Sequence, residues 1–592
     1  MSTDLCLVVP PFAQVETPTL GVAILAAACR ARGMRVAVVH ANLMLAARTG
    51  YASYRSIANS NVASLLGERL FLAHAYSVDS AQAFDLPAPL SAPLQAQHDA
   101  IAPSVGPLLD DVCGRILALQ PRIVGISSSY QQTLAASAIA HRLKAAAPDI
   151  RIVLGGPNAA SPMGEALAEI FPWIDHFFSG EADIAFPDFC ETLLRGEGGD
   201  LPRVIHCAPL TDMRRSPAPD FSDYFADLHA LGDALPATLP EALPVETSRG
   251  CWWGAKNHCT FCGLNGATMM FREKPAATAL SEFDALETEW GVGRFAVADN
   301  IMPLRYLTEL LPSLAARERR PTLFYEVKAN LKHDQLALMI RAGIDTIQPG
   351  IESLSSPVLK LMRKGVSAHQ NIALLRDCRS LGIAVAWNYL YGFPGEEVAH
   401  YAAVAPVIPA LEHLEPPNDF SPLIVDRFSP YHSTPEAFGI AGIEPIAAYC
   451  GLFPLDARLD AIAYHFKGRY TTDLLDDADA LLAMARAIGL WRLQWAIGSG
   501  PELKIVTEGG VPMLIDTRRI AAAARAPLPH QWHRALRLLD RPHAPGDVDV
   551  ETSVIATLID RRYVIAHEGL LLSVVTREVP VNLPDYAKAS AA

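Results

Sequence analysis

Apolar residues over the first two hundred positions keep two alternating rhythms, short continuous runs and longer stretches of helical period. The runs Leu5–Val9, Arg35–Val39, Ile123–Ser127, Ile150–Leu154 and His176–Ser179 predict buried strands. Between them, Leu20–Arg32, Leu134–Ala147 and Met163–Ile170 predict helices, and Gly33 is a natural C-cap for the first. Strands alternating with helices predict a parallel, doubly wound sheet over residues 1–200, with a mostly helical insertion at 44–118. Residues 201–240, rich in Pro, Asp and Ala, read as a linker. The alternation then resumes. Val245–Ser248, Arg294–Ala298, Thr322–Val327, Thr346–Gly350, Ala384–Tyr389 and Leu423–Phe428 predict a partial barrel of six strand–helix units over 241–430. Residues 431–500 read as a helical extension. Residues 501–592 read as an α+β, winged-helix-like domain. In it, strands Leu503–Val506 and Val511–Ile515 precede helices near Gln531–Leu539 and Glu551–Ile559. A hairpin of Tyr563–Ala566 and Leu570–Val575 closes it around Glu568-Gly569. The fold class is α/β multidomain.

Ligands of such sheets and barrels meet the carboxyl ends of the strands. In the first domain those ends carry Pro10-Pro11-Phe12, Ser127-Ser128-Ser129-Tyr130-Gln131, Gly155-Gly156-Pro157-Asn158 and Gly180-Glu181-Ala182-Asp183. Small residues there let backbone approach a large flat ligand closely. In the second domain the ends gather polar groups: Asp299-Asn300, Lys328, Glu352-Ser353, Asn388 and Asp426-Arg427.

Composition narrows the classes. Hydrophobic residues are 51% of the 592 and charged ones 19%, so the chain can build several cores. The longest apolar runs, such as Val22–Cys29, are too short for a bilayer. A formal net charge of −14 argues against a surface built to hold nucleic acid. Ten cysteines are too sparse for a secreted disulfide scaffold, and no signal peptide precedes them, which places the protein in the cytoplasm. Most of them sit in apolar surroundings as core residues.

Three do not. Cys251, Cys259 and Cys262 follow the first barrel strand with the spacing Cys-x7-Cys-x2-Cys. Three thiolates close neither a zinc site nor an iron–sulfur cube, both of which take four ligands. A 4Fe–4S cluster held by three cysteines leaves one iron open to a substrate or cofactor. His258 completing a Cys3His zinc site, or a disulfide with one odd thiol, are the alternatives.

The motifs Cys251-Trp252-Trp253-Gly254 and Cys259-Thr260-Phe261-Cys262-Gly263-Leu264-Asn265-Gly266 resemble the cobalamin-binding class of radical S-adenosylmethionine (SAM) enzymes. Within that class they are similar to the subfamily that matures ribosomally made peptides. The resemblance extends through Leu66-Gly67-Glu68-Arg69-Leu70-Phe71, Gly155-Gly156-Pro157-Asn158, Gly350-Ile351-Glu352-Ser353 and Gly392-Phe393-Pro394-Gly395-Glu396, and fades after residue 430. It implies a Rossmann-like cobalamin-binding first domain, with Pro11, Phe12, Ser127, Ser128, Tyr130, Gln131, the Gly155–Asn158 loop and Gly180, Glu181 and Ala182 around the corrin. It implies SAM near Phe261, Asp299, Asn300, Lys328, Glu352, Ser353 and Asn388, with Asp299 and Asn300 toward its ammonium, Lys328 toward its carboxylate and Glu352 toward its ribose. The usual Asp-x-His-x2-Gly signature for a cobalt-ligating histidine is missing, so no obvious histidine ligates the lower face and Tyr130 or a neighbour covers it.

The implied activity is C-methylation of a precursor peptide at an unactivated carbon, with an external flavodoxin- or ferredoxin-type electron donor and the leader held by the C-terminal domain. An electrophilic methyl group from SAM cannot be given to an inert sp3 carbon, which is why a radical route is needed. Cyclisation or rearrangement without methyl transfer, and C-methylation of a small molecule, are alternatives. A zinc-containing winged-helix regulator is the non-enzymatic one, resting on Arg518, Arg519, Arg525, Arg534, Arg537 and Arg541.

Overall fold

The computed structural model describes residues 3–577 apart from 61, 63, 78–82, 200 and 267. The chain divides into two units. One comprises Met1–Val245, Ala285–Arg294 and Ile443–Lys467; the other comprises Glu246–Asp284, Phe295–Gly442 and Gly468–Ala592.

In the first unit, strands β1 (Leu5–Val9), β2 (Val36–His40), β3 (Ile123–Ser127), β4 (Arg151–Gly155), β5 (His176–Gly180) and β6 (Val204–Cys207) form one sheet in the order β2-β1-β3-β4-β5-β6. Every pairing is parallel. Alternate residues of β1 show why it is buried on both sides. Leu5, Leu7 and Val9 pack with Val22, Ala26 and Cys29 of helix α1 (Leu20–Ala31) and with Phe186, Phe189 and Cys190, while Cys6 and Val8 turn to the opposite face and are also fully buried.

The five strands expected in this half are present with ends shifted by a residue at most, but the linker expectation fails. Within 201–240 lie the sixth strand, whose Val204–Cys207 pairs with Phe177–Gly180, and the helix Ser222–Leu231. That helix is tied to β2, Asp223 accepting from the Val38 N–H at 3.1 Å and Asp227 from His40 N–H at 3.3 Å. A Pro- and Asp-rich composition marks turns between short elements here. The helical-extension expectation for 431–500 also needs correcting. Ala478–Ala496 is a long helix, but Ala441–Pro445 and His465–Arg469 are strands. The stretch 443–467 packs into the first unit, where the Tyr76 hydroxyl donates to Leu452 O at 2.8 Å.

In the second unit, β7 (Arg294–Val297), β8 (Thr322–Glu326), β9 (Ile344–Gln348) and β10 (Ala384–Val385) lie side by side, with β8–β9 and β9–β10 parallel. The fifth expected strand is broken. Trp387 turns inward, buried against Trp491, its indole N–H on Glu415 O at 3.0 Å. Pairing resumes at β11 (Tyr389–Tyr391), parallel to β12 (Phe420–Pro422), and Glu352 bridges to Tyr389.

The C-terminal segment builds the sheet β15-β14-β13-β18 from β13 (Leu503–Glu508), β14 (Val511–Asp516), β15 (Arg525–Pro527) and β18 (Thr576–Arg577). It adds the hairpin β16 (Val564–His567) and β17 (Leu570–Ser573), whose turn residues Glu568 and Gly569 both have positive φ, +46° and +77°. The hairpin is fastened within its unit. His369 Nε2 lies 2.8 Å from His567 O, and Arg376 donates to Ser573 O at 2.8 Å. The outer edge of β17 is already paired, since Leu571 and His543 exchange backbone hydrogen bonds of 2.8 and 3.1 Å. A wing edge ready to take up a peptide strand is therefore not what β17 offers.

The arginines behind the nucleic-acid alternative are largely spent. Arg518 is buried, paired with Asp516 at 2.8 Å, and donates to Ala410 O and Arg562 O. Arg519, Arg525 and Arg534 pair with Glu412, Glu508 and Asp549. Among the described residues, no helix is long and apolar enough to cross a membrane.

Candidate active site

The loop that carries the three cysteines is pinned at both ends. Upstream, Asp299 follows β7 and is wholly buried. Its carboxylate accepts from the Thr247 N–H (2.7 Å) and hydroxyl (2.5 Å) and from the Ser248 N–H (2.9 Å) and hydroxyl (2.7 Å). Burial outweighs these donors and pushes its acid up to about 6. Downstream, buried Thr260 donates its N–H to Met362 O at 3.1 Å, and its own carbonyl accepts from Tyr431 N–H at 3.1 Å. Around these anchors Cys251, Cys259 and Cys262 stay half-buried and reduced, Cys259 feeling the charge of Cys251 and Cys262 that of both. Burial pushes the Cys259 thiol up, and the Cys262 thiol to about 11, while the Lys364 ammonium opposes both shifts. The Gly254 N–H reaches Cys251 Sγ at 3.3 Å. Among the described residues no three His, Cys, Asp or Glu groups converge as a single-ion site requires, and His258 Nε2 lies 2.8 Å from Cys262 O. Three soft sulfur donors on one loop, with an amide N–H turned to one sulfur, suit an iron–sulfur cube better than one zinc ion.

Two lysines flank this loop through its aromatic rings. Lys328 Nζ lies 3.7 Å from the Trp253 ring centroid and donates to Lys364 O. Burial, with the Lys364 charge, lowers it to about 8. Lys364 Nζ sits 5.7 Å from the Phe261 ring centroid and 3.3 Å from Glu352 Oε1. Gly350 makes room for that pair, because a Cβ there would stand 2.8 Å from Lys364 Nζ. Burial and the carboxylates of Glu352 and Asp299 push Glu326, the last residue of β8, up to about 7.

The structure thus gathers Lys328, Glu352 and Phe261 with the cysteines, and adds Lys364, Glu326 and Trp253, which sequence reading had not assigned. The remaining expected SAM residues are placed otherwise. Asp299 has both oxygens taken by the strand before the loop, so it anchors that strand and has nothing left for an ammonium. Ser353 is buried, its hydroxyl accepting from Ser355 N–H at 3.1 Å and its carbonyl from Asn371. Asn300 donates to Asn265 Oδ1 at 2.6 Å, and Asn388 is exposed in the break after β10.

In the first unit the sheet order reverses between β1 and β3, and the loops after those strands are joined there by Gln132, which donates to Pro10 O at 2.6 Å. Ser127 Oγ is buried and meets no partner. The next loop fits a close approach. Gly156 has φ +100°, and a Cβ on it would stand 2.6 Å from Ser128 O; Gly180 has φ +106°, and a Cβ would stand 2.6 Å from Cys207 O. Gly156, Pro157 and Gly180 are exposed at the carboxyl ends of β4 and β5. An unpartnered hydroxyl beside a rim of bare backbone fits a broad flat ligand such as a corrin. Replacing Gly156 by Ala should cost about 1–3 kcal/mol and lose corrin affinity, whereas Gly155→Ala, whose Cβ meets only Phe178 Cβ at 3.8 Å, should do neither. Thermal unfolding and an absorbance titration with cobalamin measure the two effects.

Other expected corrin residues meet partners within the protein. Phe12 is buried with its ring 5.0 Å from Tyr54, and Pro11 is buried beside it. Asn158 donates to Ser128 Oγ, Ser129 O and Thr133 Oγ1. Ser128 is buried, with its N–H on Gly155 O. Glu181 accepts from Leu210 N–H at 2.8 Å, and Ala182 lies against the core under β1. Gln131 accepts from Gly67 N–H at 2.7 Å, and the Tyr130 hydroxyl donates to Ser60 O at 3.1 Å.

That Gly67 contact gives the Leu66–Phe71 motif its role. Glu68 caps the helix Thr133–Ala146, accepting from Thr133 N–H (2.9 Å) and Leu134 N–H (2.7 Å), and burial raises its acid to about 7. A folded acid raised above its unfolded value of 4.5 contributes stability that is fully present below about 4.5 and lost as pH rises through about 7. The advantage of the wild type over Glu68→Gln should therefore shrink by about 3 kcal/mol between roughly pH 4.5 and pH 8, measured by urea unfolding.

Part of the chain is similar to known proteins. Residues 245–405 match the Radical SAM superfamily model. An uncharacterized methyltransferase of Pyrococcus horikoshii is 23% identical over 305 residues, covering 48% of this chain and 63% of its own. The chain thus spans less than two thirds of that relative. Among solved structures, the cobalamin-dependent SAM radical enzyme OxsB with aqua-cobalamin and SAM bound is 15% identical, with a TM-score of 0.55 over 82% of this chain and 66% of its own. The radical SAM methyltransferase TsrM from Kitasatospora setae, with tryptophan substrate and a SAM analogue bound, is 15% identical, with a TM-score of 0.53 over 82% of this chain and 89% of its own. The chain carries a radical SAM domain, which implies a 4Fe–4S cluster and SAM, on a multidomain α/β fold like that of these cobalamin-dependent enzymes.

Proposed function

We propose that the chain is a cobalamin-dependent radical SAM enzyme that methylates an unactivated sp3 carbon of a ribosomally made precursor peptide. The observation that carries the reading is the pinned Cys251–Cys262 loop, its thiols gathered beside Lys328, Lys364 and Glu352. When bound, the cluster with SAM supplies homolytic C–H abstraction and the corrinoid supplies a methyl group to the resulting carbon radical. The protein's part is to hold and shield. Cys251, Cys259 and Cys262 would hold the cluster through their three thiolates, with room left for SAM to bind it. Lys328 and Lys364 offset negative charge around the cluster, and Glu352 is the acceptor for ribose hydroxyls. In the first unit, Ser127 and the bare backbone of Gly156 and Gly180 receive the corrin.

The peptide substrate is supported by the uncommon Cys-x7-Cys-x2-Cys spacing. A small-molecule substrate is the second reading, to which the occupied outer edge of β17 and the tryptophan bound by TsrM lend support. Mass spectrometry separates these readings. Co-expression with a short open reading frame from the same locus should add about fourteen mass units per methyl to its product, while ring closure removes two hydrogens (following from the cofactors' chemistry). An unmodified peptide alongside a methylated small molecule would refute the peptide reading.

A further inference from the structure

We infer that the open groove beside the cysteine loop is the docking face of a small acidic electron-carrier protein. The inference rests on the proposed radical SAM function and adds the place where its electron carrier lands. The groove, about 920 Å³ in volume, lies wholly within the second unit, between 253–258 and 356–370. Lys256, Lys360 and Arg363 line it, and no Asp or Glu does. All three are exposed, and among the described residues none is engaged in an ion pair. The sign of this face is opposite to the chain's net charge of −14, and its field favours an acidic partner.

The groove also has the right neighbour. One wall is the short helix Gly254–Asn257, which lies in the chain between Cys251 and Cys259, so the wall and two cluster ligands share one loop. Trp253 closes the groove as a fixed aromatic plate. Its ring lies against Gly365, where a Cβ would stand 2.2 Å from Trp253 Cη2, and its N–H donates to Arg363 O at 3.2 Å. Lys328 lies over that ring at 3.7 Å, so a carrier seated in the groove would rest on the loop that carries Cys251 and Cys259. The carrier, a flavin or iron–sulfur protein with a carboxylate-rich face, gives up one electron and the cluster gains it; no bond is made or broken.

The test uses anaerobically reconstituted holoprotein and the double variant Lys256→Glu/Lys360→Glu, with reduced flavodoxin as the probe. Wild type should bind flavodoxin in a biosensor assay, with affinity falling as salt rises. Its cluster should bleach at a second-order rate that the double variant lowers by about tenfold or more at low ionic strength. Reduced methyl viologen, a small cation, should bleach both proteins alike. Equal binding and equal bleaching by flavodoxin in the two proteins would overturn the docking face while leaving the function standing. A wild type with no cluster that viologen can bleach would overturn the function and the docking face together. Binding of a single-stranded oligonucleotide, lost in the double variant, without binding of flavodoxin would reassign the groove to another partner.

Discussion

Replacing any one of Cys251, Cys259 or Cys262 by Ala should remove the reducible iron–sulfur absorbance, with bound iron falling from about four per chain toward none. Product formation should fall below detection. The expectation is severe because the one histidine of the loop is no ready substitute: His258 Nε2 faces the Cys262 carbonyl at 2.8 Å. The same changes should barely move the stability of the cluster-free protein, by about 1 kcal/mol at most, because all three thiols are only half-buried. Loss of iron with preserved folding is the signature of a ligand. Cys450, which is exposed, and Cys378, which is buried in the core, supply the contrast. Cys450→Ser should change neither property, and Cys378→Ala should cost stability while keeping iron. Iron analysis with paired unfolding curves decides it; a triad variant that retains full iron and bleaches normally would remove the basis for the proposed chemistry.

Asp299→Ala should be the most destabilising single change in the second unit, costing about 3–5 kcal/mol and abolishing cluster uptake as a consequence. The carboxylate is fully buried and receives four hydrogen bonds from Thr247 and Ser248. Removing it strands two amides and two hydroxyls with no water to replace the acceptor. Thr247 and Ser248 lie only a few residues before Cys251, so the loop loses its upstream anchor. Asp299→Asn keeps one acceptor oxygen and should cost about half as much. The order of losses separates this anchoring role from the ammonium-binding role expected from sequence. An anchor loses unfolding free energy first and cluster with it, whereas a ligand-binding residue would lose SAM affinity at full stability. Denaturant unfolding and a SAM titration of the reconstituted Asp299→Asn protein make that distinction.

Asp299, Ser353 and Phe12, expected as ligand contacts, meet protein partners for one physical reason. The sequence places each at the carboxyl end of a strand, where ligands bind, but chain position does not say whether a side chain turns to the mouth or to the core. Asp299 turns to a neighbouring strand, Phe12 to Tyr54, and Ser353 to Tyr389. Lys364 shows the converse. It lies in the turn after Ser356–Leu361, far from any strand end, and reaches the site because Gly350 leaves a gap for its ammonium. The broken strand at Trp387 was equally invisible, since a run of apolar residues looks the same whether it continues a ladder or leaves it to bury a large ring.

What the sequence alone determined is what depends on neighbours in the chain. Hydrophobic period distinguished strands from helices, Glu568-Gly569 marked the hairpin turn, and the spacing of three sulfurs on one loop announced the chemistry. Only the tertiary structure decided which polar groups face that loop, that residues 201–240 carry a sixth strand, and that the C-terminal wing edge is already paired. Those facts depend on contacts between residues tens or hundreds of positions apart, which packing selects and local pattern does not encode.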